Sequence, residues 1–96
     1  MRDDDFEWDD VKADANLRRH KIGFRQARAV FVDIFALIER DLSEEYGENR
    51  FLAIGMTDGR LVTVVYTDRG ERIRIISARK ANRHEQRKYY RSQITS

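Results

Sequence analysis

The sequence predicts an α+β domain, an antiparallel β-sheet with two N-terminal helices and one C-terminal helix, from three observations. Between Phe51 and Ile76 lie three runs rich in β-branched and large apolar residues. They are split by Asp58-Gly59, a dipeptide that accepts positive φ at both centres of a type I′ turn, and by Asp68-Arg69-Gly70-Glu71. Ahead of this meander, apolar residues recur at helical spacing. Behind it, Asn82 and Glu85 stand in a capping-box relation, and neither Pro nor Gly interrupts the chain from there to Arg91.

Taken in order, Met1 to Asp5 reads as a frayed, charged start. Phe6-Glu7-Trp8 alternates as a short edge strand does. Asp9 or Asp10 caps a helix that carries Val11 with Ala15 and Ala13 with Leu17 at i, i+4, and Gly23 closes it. Phe24, Ala27, Val30 and Phe31 predict a second short helix to about Val32, laid over the sheet. From Asp33 to Asn49 the pattern predicts irregular structure, with an acidic loop at 44–48. If Asp58-Gly59 and Arg69-Gly70 are loop centres, Tyr66 faces Phe51 and Ile73, and Val64 faces Ala53 and Ile75, as one apolar stripe. The other face is apolar at one end, polar at the other, and only partly covered. Ser77 to Ala81 then connects the last strand to the final helix.

At 96 residues the chain suits one domain, 1–96, with one core. With no cysteine, disulfides, thiolate metal sites and a cysteine nucleophile are excluded. Ala29 to Ile38, the most apolar segment, is too short to span a bilayer, and the N-terminus is acidic where a signal peptide is basic. A soluble, cytoplasmic protein with no membrane partner is expected. The net charge of +2 conceals segregation: residues 1–14 and 33–48 each balance at −5, whereas residues 69–91 balance at +7. Such a basic stretch suits a polyanion.

Two histidines, His20 and His84, show no metal-ligand spacing, and the glycines are too dispersed for a phosphate loop, so neither metal nor nucleotide cofactor is expected. What remains is the basic junction of Arg79, Lys80 and Arg83, with Arg87, Lys88 and Arg91 further on. A helix start and bidentate guanidinium donors both attract phosphate. The plainer alternative is that these arginines pair with acids and that Glu85 only caps its helix.

Phe6-Glu7-Trp8-Asp9, the spaced Lys12, Ala15, Asn16 and His20, Val30-Phe31, Ala53-Ile54-Gly55, Val65-Tyr66-Thr67, and above all Arg74 to Ala81 with Arg83 and Glu85, together resemble the BrnT family of toxins. The resemblance covers roughly residues 6–90. One departure is local: Arg19-His20-Lys21 stands where the family has Lys-His-Gly, the glycine being displaced to Gly23.

The resemblance implies a RelE-like fold and a ribonuclease that arrests translation until a BrnA-type antitoxin neutralises it. Operator DNA would be bound only through the toxin–antitoxin complex. It also implies a metal-independent mechanism in which an RNA 2′-hydroxyl attacks the adjacent phosphorus and leaves a cyclic phosphate. On that reading Arg79 clamps the phosphorane, assisted by Lys80 and Arg83. His20 and Glu85 are the candidates for proton transfer, and Lys12, Arg50 and Arg87 extend the RNA-binding surface. The alternatives are a non-enzymatic nucleic-acid-binding module and a structural subunit of a regulatory complex.

Overall fold

A computed structural model describes residues 1–42 and 49–94 of the chain. The described elements are β1 (Phe6–Glu7), α1 (Asp10–His20), α2 (Phe24–Ala27) continued by a 3-10 turn (Arg28–Val32), β2 (Leu37–Arg40), β3 (Arg50–Thr57), β4 (Arg60–Arg69), β5 (Arg72–Lys80) and α3 (Arg83–Ile94). The five strands make one sheet in the order β1-β5-β4-β3-β2. The sheet is mixed, not purely antiparallel as expected, because β1 runs parallel to β5, with Phe6 beside Ile73 and Glu7 beside Arg74. Strands paired at one sheet edge but 67 residues apart, as Phe6 and Ile73 are, have no hairpin to reveal the pairing.

The β3–β4 hairpin follows the sequence reading. Asp58 and Gly59 take φ of 49° and 73°, and Phe51 faces Tyr66 and Ala53 faces Val64. The β4–β5 register is corrected in two respects. Gly70, at φ 75°, opens the turn instead of closing it, so Arg69 faces Arg72 and Tyr66 meets Ile75 in place of Ile73. The pairing then slips between Tyr66 and Val65: Val65 faces Ser77 and Val64 faces Ala78, leaving Ile76 as a bulged residue. A bulge of one residue reverses which face the rest of the strand addresses. Ala78 therefore joins the core, while Ser77 and Arg79 turn to the opposite face.

One face packs under α1, α2 and the 3-10 turn around Trp8, Ile22, Phe24, Val30, Val64 and Ile75. The predicted stripe of Phe51, Ala53, Val64, Tyr66, Ile73 and Ile75 belongs to this core. The other face is covered by α3, which buries Tyr89 against Ile54 and Ala81. Three further expectations are corrected. Met1 to Asp5 is pinned, since Met1 and Trp8 exchange backbone hydrogen bonds of 3.0 and 2.9 Å. Residues 37–40 of the supposedly irregular segment form β2, paired with Ile54 to Phe51, while the acidic loop at 44–48 lies outside the described residues. Ser77 to Lys80 is strand, not connector.

Polar ties hold the layers at the sheet's unpaired margins. Beyond β1, Asn16 of α1 acts as a strand would: its amide donates to Ala78 O at 2.9 Å and its carbonyl accepts from Ala78 N at 3.2 Å. Beyond β2, Asp33 accepts from Met56 N at 2.9 Å and from the Tyr89 hydroxyl at 2.6 Å. Gly55 permits this approach, because a Cβ there would stand 2.9 Å from Val30 Cγ1. Burial opposes the Asp33 charge, but the Tyr89 hydroxyl and two backbone amides outweigh it and lower its pKa.

Helix α1 is capped by Asp9, whose carboxylate accepts from Val11 N and Lys12 N. It ends not at Gly23 but at Lys21, which takes left-handed φ 60° and returns its amide to Leu17 O. Glycine suits that position, since a Cβ is strained there. Lys21→Gly should therefore raise stability by about 0.5–1 kcal/mol, read as a higher thermal midpoint; an unchanged or lower midpoint would show that Lys21 is not strained.

Candidate functional site

The extra residue in β5 aims Arg79 at α3. Opposite it on β4 is Thr63, and between them lies Glu85, only 6% exposed. Arg79 grips this carboxylate through both terminal nitrogens, Nη1 to Oε1 at 2.8 Å and Nη2 to Oε2 at 3.0 Å. Thr63 Oγ1 and Asn82 N also donate to Oε1, at 2.9 and 2.8 Å. The reciprocal half of the capping box is present, Glu85 N donating to Asn82 Oδ1 at 2.8 Å. Burial opposes the Glu85 charge, yet the donors from Arg79, Asn82 and Thr63 outweigh it and hold its pKa below the ordinary carboxylate value. The same pairing raises the pKa of Arg79.

The helix start predicted to attract a phosphate thus already holds an anion of its own. Both sequence alternatives meet here, since Glu85 caps α3 and binds Arg79. Arg79 keeps a third of its side chain exposed, while its fork is fixed by Glu85.

Lys80 and Arg83, two of the three cations expected to share one pocket, line two hollows that have Gln86 and Tyr90 in common. Lys80 lines a hollow with Met56, Gly59, Arg60 and Leu61. Arg83 lines another with Arg87, Tyr90 and Arg91 along the outer face of α3. Lys80 is the last, exposed residue of β5, and its hollow also has Gln86 and Tyr90 of α3 in its wall. Arg50 lies at the far end of β3, opposite Thr67.

Lys12 and His20 do come together. With Arg19 they line a hollow of about 220 Å³ between α1 and the bulged stretch Ile76-Ser77 of β5. Lys12 and Arg19 are exposed and His20 is half-buried. Ser77 stands two positions before Arg79 on the same strand face, roughly 7 Å away along the strand. The bulge therefore presents, along one edge, a histidine, two cations and a hydroxyl, with Arg79 two strand positions further on. Sequence reasoning did not single out Ser77 or Thr63. Only the slipped register reveals them.

Among the described residues no three His, Asp or Glu side chains gather as metal ligands would, and no helix is long and apolar enough to cross a membrane. What the arrangement offers chemically is fixed positive charge, hydrogen-bond donors and one imidazole, the groups needed to hold a phosphodiester and move a proton.

Two outcomes test the buried pair. Arg79→Ala should cost about 1–3 kcal/mol by stranding a hydrogen-bonded charge, and the double variant with Glu85→Gln should lose clearly less than the sum of the two single losses; strict additivity in denaturant titrations would deny the coupling. Because the Glu85 pKa is lowered, its stabilisation is complete above the ordinary value of 4.5 and is lost as pH falls through the folded value. The advantage of the wild type over Glu85→Gln in thermal midpoint should accordingly shrink as pH drops below 4.5, and a constant difference would contradict it.

Comparison with known proteins adds a match to a family model described as ribonuclease toxin, BrnT, of type II toxin-antitoxin system, over residues 8–85. No curated protein matches the chain.

Proposed function

For a chain that belongs to the BrnT family of type II toxin–antitoxin ribonuclease toxins, we propose that the edge formed by α1 and β5 is where RNA is cleaved, without a metal ion. The observation that carries this is the meeting of Lys12, Arg19, His20 and Ser77 in one hollow beside the strand face that bears Arg79. RNA supplies its own nucleophile: the 2′-hydroxyl attacks the adjacent phosphorus, the 5′-oxygen leaves with a proton, and a 2′,3′-cyclic phosphate remains. The protein then has to orient the backbone, stabilise the added negative charge and carry protons.

In this reading the partly exposed Arg79 holds the phosphorane, Lys12 and Arg19 add charge, and His20 transfers the proton. Glu85 becomes a positioning residue for Arg79 in place of a proton carrier, because its oxygens are occupied and burial leaves water little access. Lys80, Arg83, Arg87 and Arg50 lie too widely around the molecule for one phosphate and belong to the wider RNA-facing surface. The proposal extends to a RelE-like relationship of the fold, arrest of translation in the bacterial cytoplasm, and neutralisation by a BrnA-type antitoxin that brings operator DNA to the complex.

A second reading, a non-enzymatic nucleic-acid-binding module, is favoured by the closed fork between Arg79 and Glu85. Incubating the purified protein with RNA in excess chelator separates the two. Cleavage leaving cyclic phosphate and 5′-hydroxyl ends is expected, lost on Arg79→Ala and reduced at least about 100-fold by His20→Ala. Tight binding with intact RNA would favour the second reading instead.

A further inference from the structure

Tyr90 is a large side chain that remains 48% exposed. Its ring stands edge-on against Tyr89, centroids 5.3 Å apart at 84°. Tyr89 is itself 3% exposed and anchored to Asp33 by its hydroxyl, so the support beneath Tyr90 is fixed. Hollows of about 400 and 380 Å³ both have Tyr90 and Gln86 in their walls. Arg83 and Arg87 line the first, Arg60 and Lys80 the second, and no carboxylate lines either. Among the described residues, no ion pair ties Arg83, Arg87 or Lys80 to an acid, although Lys88 on the same helix meets Glu39 at 2.7 Å.

We propose that this face of α3 is a second binding site, a platform on which an unpaired RNA base stacks against Tyr90 while the neighbouring phosphates lie on Arg83 and Arg87 to one side and on Lys80 and Arg60 to the other. Every charged residue in the two linings is a cation, which selects a polyanion, and the propped ring between two hollows selects one that carries planar groups. Lys80 directly follows Arg79, so a strand held at the α1–β5 edge continues over Lys80 towards Tyr90. The inference rests on the reading of the chain as an RNA-cleaving protein and adds where nucleotides flanking the cleaved bond are held.

The test is fluorescence anisotropy with a dye-labelled, 2′-O-methylated single strand of about eight nucleotides, a length typical of such sites. Tyr90→Ala should weaken binding by about 5- to 100-fold, as loss of one stacked base does. Tyr90→Phe should bind like the wild type, and Arg83→Gln with Arg87→Gln, both at exposed positions, should flatten the salt dependence by about 0.7 log units for each phosphate no longer neutralised. Affinity of Tyr90→Ala within twofold of wild type, with a normal thermal melt, overturns the proposal. So does a Tyr90→Ala defect confined to binding of the partner protein, which would assign the face to an acidic segment of that protein. Cleavage of long RNA by the wild type, measured alongside, tests the nuclease reading by itself, so the two ideas can fail separately.

Discussion

A charged carboxylate with almost no access to water must be matched by donors, and Glu85 finds them on separate elements of the chain: Thr63 on β4, Arg79 at the end of β5, and the Asn82 amide ahead of α3. Removing any one leaves part of a buried charge unanswered. The carboxylate therefore fixes how α3 enters its layer and, through the two-toothed grip, which way the Arg79 guanidinium turns. The order of dependence runs from stability to chemistry, since an arginine oriented in advance loses little freedom when it meets a phosphate.

The same economy recurs at the sheet margins. Each open stretch of strand beyond β1 and β2 is met by a short polar side chain from the helical layer, Asn16 in one case and Asp33 in the other. Both satisfy backbone groups that a missing strand would have bonded. Asn16 also sets the height of α1 against β5, and thereby the width of the hollow between Lys12, His20 and Ser77. Asp33 reaches Tyr89 across the sheet edge, so the support of Tyr90 depends on a residue in the opposite layer.

How far this was legible in the residues depends on the range of each interaction. The Asp58-Gly59 turn and the Asn82–Glu85 box are local, and both form as their spacing predicts. The apolar stripe survives an error in turn placement because the error is of two positions, which preserves parity. What could not be read is whatever couples distant segments: the parallel β1–β5 pair, the seat of β2 against β3, and the polar ties from Asn16 and Asp33. The slip at Ile76 is hidden for another reason. Ile75 and Ile76 are both apolar, so no change in polarity marks the residue that drops out of register. Without that slip Arg79 would face the layer beneath α1 and α2 and lose its place beside Thr63 and Glu85.

That unpaired isoleucine also governs how the chain can change in length. Ahead of it, the odd-numbered Ile73 and Ile75 of β5 enter the dry layer beneath α1 and α2; after it, the even-numbered Ala78 does. Deleting one residue here would send Arg79 into a compartment of aliphatic side chains and expel Ala78 from it, whereas insertions at the exposed Gly70 turn leave both assignments intact. The strand is tolerant of lengthening at its beginning and nearly rigid in count at its middle, a numerical restriction on how such a sequence can drift.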